Sequence, residues 1–206
     1  MNKPRECQAA LQLIAPSALA LDAGIAPQTM TLLEVLRRRQ SGRAYKPDEL
    51  PLYTLSRLLW AAFGINRPEL GRRTAPSAND RLEIDIYVAL RSGLYRFDAG
   101  LMVLHPVLNQ DIRAATGGQD FVADAPLNLI YVANLDRSQA GSDSQEEFYA
   151  ALDTGFISQN VYLLCAAEGL STVVRGWVDR LPLAALMGLG PFQSVIAAQS
   201  VGYPLA

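Results

Sequence analysis

The chain has 206 residues, half of them hydrophobic and 18% charged, with 18 Lys+Arg against 20 Asp+Glu and a formal net charge of −2. That length supports one domain with a substantial core, and the composition excludes a disordered or collagen-like chain. The charge balance argues against nucleic acid as a partner, and no run of about 18 uninterrupted apolar residues is present to span a membrane.

Two cysteines, Cys7 and Cys165, and one histidine, His105, are too few for a disulfide framework or a Cys/His zinc site. A single Cys7–Cys165 bridge stays open. At the N-terminus, Lys3 and Arg5 with Ala18-Leu19-Ala20 have some features of a signal peptide, but Glu6, Gln8, Gln12, Pro16 and Ser17 interrupt the apolar run. The expectation is a cytoplasmic protein, with export as the alternative. Residues 1–29 are expected to form an extension, a helix over 4–14 plus a linker, ahead of a domain spanning 30–206.

Thr31 and Glu34 have the spacing of a capping box and open a helix to about Arg39, ended by Ser41-Gly42. A second helix is expected over Asp48–Gly64, with Pro51 in its first turn and Leu55, Leu58, Leu59, Ala62 and Phe63 on one side. Residues 65–81 read as a long loop. Alternation from Glu83 to Leu90 predicts a half-buried strand, and the segments Leu94–Phe97 and Leu101–Val107 a hairpin. A short helix over Asn109–Thr116 precedes Gly117-Gly118, and the apolar run Leu127–Ala133 predicts a central strand buried on both sides. A long helix over Ser144–Leu170, a strand over Ser171–Trp177, a helix over Leu181–Met187 and a strand over Ser194–Val201 complete an α+β order.

Most catalytic signatures are missing. There is no phosphate-binding Gly-rich loop with Lys-Ser/Thr, no Gly-x-Gly-x-x-Gly after a strand, and no Gly-x-Ser-x-Gly. His105, in an apolar strand beside Pro106, reads as structural. Asp22, Glu83 and Asp85 form no evident acid–base pair, and two solvated charges explain Glu83 and Asp85 equally well. Two features remain. Arg37-Arg38-Arg39-Gln40-Ser41-Gly42-Arg43 puts four arginines at a helix end, where cations suit the helix dipole. The same cluster, with a hydroxyl and a glycine, also suits a phosphate. Val173-Val174-Arg175-Gly176-Trp177 places a charge and a glycine in an apolar strand, which suits either an edge strand with a solvated Arg or a close backbone approach.

In order along the chain, five blocks resemble the FMN-dependent nitroreductase family, and within it the branch that includes the thiazole/oxazole-forming azoline dehydrogenases and their short relatives. The blocks are Arg39–Arg43; Leu58–Arg67 with Arg73–Ala78; Gly118-Gln119-Asp120-Phe121 before Ala125-Pro126; Asp153-Thr154-Gly155 with Gln159-Asn160 and Glu168-Gly169-Leu170; and Gly202-Tyr203-Pro204. The resemblance implies a mixed sheet flanked by helices, a homodimer around the long Ser144–Leu170 helix, and two FMN molecules at the interface. It further implies hydride transfer from NAD(P)H to a small electron-poor acceptor, a nitroaromatic, quinone or enone, with no side-chain acid or base strictly required.

By position in those blocks, Arg39, Gln40 and Ser41 match the phosphate and ribityl site. Arg43 matches the cation at the flavin N1/O2 edge. Pro76, Ser77, Ala78 and Asn79 match the loop over the partner's flavin, Gln119 a contact to the pyrimidine edge, and Val174, Arg175 and Gly176 the backbone facing N5 and O4. Many members carry a basic residue after Gly-Tyr-Pro; here Leu205-Ala206 follow, leaving that contact to Arg37 or Arg38. The lysines, Lys3 and Lys46, match no active-site Lys/Tyr pair of the azoline enzymes. The alternatives are a flavin dehydrogenase acting on a peptide or heterocycle and a flavin-binding scaffold without turnover.

Overall fold

Local signals place most elements, and strand pairing then decides the layers. The computed structural model describes residues 8–16, 30–137 and 143–205. Thr31 caps helix α1 (Leu32–Arg38) through the complete capping box with Glu34, and the helix ends at Arg39. Helix α2 (Leu52–Phe63) starts later than the expected Asp48, with Pro51 as the extended cap and Gly64 at its end. The delay has a steric cause: the residue before a proline is pushed out of helical geometry, so Leu50 cannot begin the helix.

The expected loop over 65–81 contains a small hairpin, β2 (Ile65–Arg67) and β3 (Arg72–Arg73), followed by a 3-10 turn at Ala78–Asp80. A seven-stranded sheet forms the body. It contains β1 (Leu11–Gln12), β4 (Ile84–Leu90), β5 (Gly93–Asp98), β6 (Val103–Leu108), β7 (Leu127–Asn134), β8 (Ser171–Arg175) and β9 (Gln193–Gly202), in the order β1-β6-β5-β4-β7-β9-β8. Its ladders within the chain are antiparallel among the described residues. The long helix α3 covers Asp143–Glu168 and α4 covers Arg180–Met187. The class is α+β, as expected.

Two readings change. The helix expected over 4–14 is not present over its described residues. Instead Leu11–Gln12 pairs with Val103 and Leu104 on the edge of the sheet, and Leu13 enters the core. A free ladder edge captures a short apolar segment that local periodicity cannot distinguish from a helix. Likewise β4 is buried on both faces rather than one. Ile84, Ile86 and Val88 pack under α2 and α3, while Tyr87 and Ala89 pack with Ile130, Val132, Leu183 and Met187 on the α4 side. The second layer comes from residues almost a hundred positions away. The segment before Gly117 is only a 3-10 turn, Arg113–Thr116.

Helix α3 buries Ala150, Asp153, Thr154, Ile157, Ser158, Val161, Tyr162 and Cys165, one face at three- and four-residue spacing. Its opposite face leaves Phe148, Leu152 and Phe156 exposed. Cys165 is a buried free thiol, and Cys7 lies outside the described residues. His105 lies 3.5 Å from the Asp98 carboxylate. No helix among the described residues is long and apolar enough to cross a membrane.

Candidate active site

Strand β8 lies at the sheet edge, so its outer backbone groups need partners. The segment after α1 supplies them. Gly42 N–H donates to the Thr172 carbonyl at 2.9 Å. On the same edge, Val174 N–H donates to the Tyr162 phenol oxygen at 3.0 Å, and that phenol lies 3.0 Å from Ser41 Oγ. Gly42 keeps the approach close: a Cβ there would fall 2.0 Å from Ser171 Oγ, so that side chain would have to turn away. Tyr45 secures the turn by donating its hydroxyl to the Gly42 carbonyl at 2.8 Å.

The Tyr162 oxygen accepts from Val174 N–H and shares a hydrogen bond with Ser41 Oγ in which either hydroxyl can donate. Arg39 stacks over the Tyr162 ring at 5.3 Å, and Arg43 and Gln40 are exposed. Arg37, Arg38, Gln40, Gly42 and Tyr162 line a cleft of about 450 Å³ that reaches Pro204. The cations and the Ser41 hydroxyl suit an anionic ligand, and Arg39 has no salt bridge among the described residues. Tyr162→Phe is expected to leave Val174 N–H without its partner and to loosen the Ser41 turn, costing about 1 kcal/mol in urea unfolding.

The opposite wall of the β8 end is the Gly117-Gly118-Gln119 turn. A Cβ on Gly117 would fall 1.9 Å from Arg175 Nη1, and one on Gly118 would fall 3.3 Å from the Trp177 indole. Phe121 stacks against Tyr45 at 6.1 Å and joins this turn to the Ser41 segment. Arg175 is only 3% exposed, which overturns the expectation of a solvated Arg on the edge strand. Its guanidinium donates to the Thr116 carbonyl (2.7 Å), Thr116 Oγ1 (3.3 Å) and Asn128 Oδ1 (3.1 Å). Burial pushes its pKa down to about 10, partly offset by Tyr45, so it remains charged at neutral pH. Gly176 is exposed, with open space where a Cβ would stand.

The structure thus brings Arg39, Gln40, Ser41, Arg43, Gln119, Val174, Arg175 and Gly176 to one end of the sheet. The other expected group, Pro76, Ser77, Ala78 and Asn79, is elsewhere. Ala78 N–H donates to Asp153 Oδ2 at 2.9 Å, and Asp153 precedes Tyr162 by nine residues of α3, about 13 Å of helix. Tyr162, Tyr45 and Trp177 were not legible as site residues. Tyr162 occupies the same buried stripe as Val161 and Cys165 and reads as core, and Trp177 is 68% exposed beside Gly118.

A helix-flanked antiparallel sheet with such a cleft at its β8 end is the architecture of the nitroreductase class of oxidoreductases. The chain belongs to the nitroreductase family, whose model matches residues 36–203. It is 32% identical over 159 residues to a candidate nitroreductase of Methanocaldococcus jannaschii, covering 72% of this chain and 80% of that one. It is similar to the crystal structure of a candidate nitroreductase from Ralstonia eutropha JMP134, with TM-score 0.88, 40% identity, and 97% and 91% of the two chains covered. Two more distant structures share the fold. One is the Escherichia coli microcin synthetase complex, with TM-score 0.70, 17% identity, and 95% and 84% covered. The other is the Vibrio harveyi NADPH:FMN oxidoreductase, with TM-score 0.65, 18% identity, and 85% and 69% covered.

Proposed function

We propose that the protein is an FMN-dependent oxidoreductase that takes hydride from NADH or NADPH and passes it to an electron-poor small molecule such as a nitroaromatic, quinone or enone. The observation that carries this reading is the convergence of the Arg39–Arg43 turn, the Gln119 turn and the β8 end, with Tyr162 bridging Ser41 and Val174. Family membership supports it, and so does the Vibrio harveyi fold neighbour named for FMN.

The residues present fit this cofactor. Gln119 Oε1 and Arg175 Nε are buried without hydrogen-bond partners among the described residues, so this end of the sheet retains unused polar capacity. Arg39 and the Ser41 hydroxyl are suited to the phosphate, with Arg37 and Arg38 lining the same cleft as Pro204. Gln119 is suited to the pyrimidine edge, and the backbone of Arg175 and Gly176 to the N5/O4 side. FMN bound there supplies the hydride-accepting and hydride-donating centre. At the N1/O2 edge, Arg43 would supply a positive charge that stabilises the anionic reduced cofactor. Arg43→Ala is therefore expected to retain FMN and lower its reduction potential, measured by dye-equilibrated titration. An unchanged potential would place Arg43 away from N1.

The functional unit in this reading is a homodimer. Phe148, Leu152 and Phe156 form an exposed apolar stripe on α3, and Leu32, Leu33 and Leu36 are exposed on α1. Patches of this kind mark association surfaces. A second copy would also carry the Pro76–Asn79 loop to the other chain's cleft. The test is the visible spectrum of the purified protein, with the heat-released flavin compared with FMN and FAD. Released FMN near one per chain, bleached by NADH or NADPH, is expected. A colourless protein that takes up no FMN would overturn the reading.

A further inference from the structure

We propose that the Arg175 side chain, and not only its backbone, serves the cofactor: it is a buried cation whose countercharge is the negative charge that hydride transfer leaves on the flavin. This role presupposes the reading above, in which FMN occupies the β8 end of the sheet.

Arg175 ends β8 and is 3% exposed. The acceptors that hold its guanidinium, the Thr116 carbonyl, Thr116 Oγ1 and Asn128 Oδ1, are all neutral. No carboxylate forms a salt bridge with it among the described residues. Neutral acceptors need donors, not charge, and a side-chain amide supplies donors at a lower desolvation cost. A full positive charge withdrawn from water is offset well only by an opposite charge close by. The Arg175 pKa, lowered by burial, reflects the same cost. Arg175 Nε is also buried without a hydrogen-bond partner among the described residues. The fold therefore uses up neither the charge nor every donor of this side chain.

The cation is fixed against the turn that is suited to the pyrimidine edge. A Cβ on Gly117 would fall 1.9 Å from Arg175 Nη1, so a side chain there would displace the guanidinium from Thr116. Gln119 Oε1, on the same turn, is likewise buried without a partner. Asn128 on β7 accepts from Arg175 Nη2 at 3.1 Å and from Ser200 Oγ on β9 at 2.5 Å, which ties the cation across three strands. A charge held this rigidly needs no reorganisation when negative charge arrives beside it.

Hydride transfer carries one proton and two electrons from NADH or NADPH to the flavin. The nicotinamide leaves as its oxidised cation, and the flavin ring gains one negative charge. The phosphate charge is the same before and after. Arg37, Arg38 and Arg39 at the phosphate therefore hold both oxidation states alike, whereas a cation beside the ring favours the reduced one. For buried Arg175 this preference is screened little by salt, unlike that of the exposed Arg43.

The test compares the full-length wild type with Arg175→Gln, which keeps donors without charge, and Arg175→Met, which keeps neither. Affinity for oxidised FMN is measured by fluorescence titration. The reduction potential of bound FMN then gives the affinity for the reduced form. Both variants are expected to lose about tenfold more affinity for reduced than for oxidised FMN, which lowers the potential of a two-electron couple by about 30 mV. The shift is expected to be similar in the two variants, although their urea melts differ, and to persist at high salt. Equal loss of both forms, with the potential unchanged, would show that Arg175 only supports the turn and would overturn the proposal. So would a shift that follows the loss of stability from Gln to Met, or one that disappears at high salt. If Arg175→Met does not fold, Arg175→Gln decides alone. Wild type that takes up no FMN would overturn the placement of FMN and this role with it. Wild type that binds FMN at a potential neither variant moves would overturn this role alone.

Discussion

Arg39→Ala is expected to weaken FMN binding by about ten- to a hundredfold, the worth of one charge-assisted hydrogen bond at about 1.5–3 kcal/mol. The residue is half-buried, has no salt bridge among the described residues, and rests on the Tyr162 ring. In the FMN reading its removal takes away a phosphate ligand without opening the core. The fold should survive, which a urea melt checks alongside a flavin-fluorescence titration. Ser41→Ala should act in the same direction, because it deletes the hydroxyl of the same turn. Unchanged affinity in both variants would mean that the arginine cluster serves only the end of α1.

The second large effect is expected at Arg175. Arg175→Met keeps much of the side-chain length but leaves the Thr116 carbonyl without its 2.7 Å donor in a buried site. Asn128 Oδ1 retains its bond from Ser200 Oγ, so one acceptor loses only part of its coordination. Burying the cation has a desolvation cost that the variant removes, visible in the depressed pKa. The unmet acceptors should outweigh that gain, with a net loss of about 2–4 kcal/mol in urea unfolding. The Gly117–Gln119 turn would also lose the side chain that packs beneath it, and FMN affinity should fall with it. Stability equal to wild type would show that desolvation and hydrogen bonding cancel at this site.

Together these residues show why the cleft forms where it does. An edge strand needs partners for its outer backbone groups. At β8 they come from a glycine turn and a tyrosine hydroxyl rather than from another strand of the chain. That arrangement puts the Arg39–Arg43 turn and the Gln119 turn on either side of one strand end. The candidate site is thus built on a regular element rather than on a long loop, which favours precise placement.

Elements whose signal is local were legible. The Thr31–Glu34 box, Gly64 as a helix stop, the uninterrupted Leu127–Ala133 run and the glycines at 117 and 118 each act through neighbours within a few residues. The Arg39–Arg43 and Val174–Gly176 segments stood out because charge and glycine are unusual beside apolar runs. Glu83 did not stand out, since a carboxylate at a strand start looks solvated until α3 is laid across it. The same holds for Tyr162, whose helical spacing is that of any core aromatic. Arg175 was open to two readings, and its burial depends on Thr116 and Asn128, 59 and 47 residues away.

Taken alone, the amino-acid order determined the α+β class, most helix and strand positions, the family and the Arg39–Arg43 turn. All of these follow from capping, periodicity and short motifs, which are properties of contiguous residues. Only the tertiary structure decided that Leu11–Gln12 is a strand, that β4 is covered on both faces, that Tyr162 bridges Ser41 and Val174, and that Glu83 is buried. Each of these depends on which distant segment reaches a free ladder edge or a buried polar group first, and no local pattern encodes that partner.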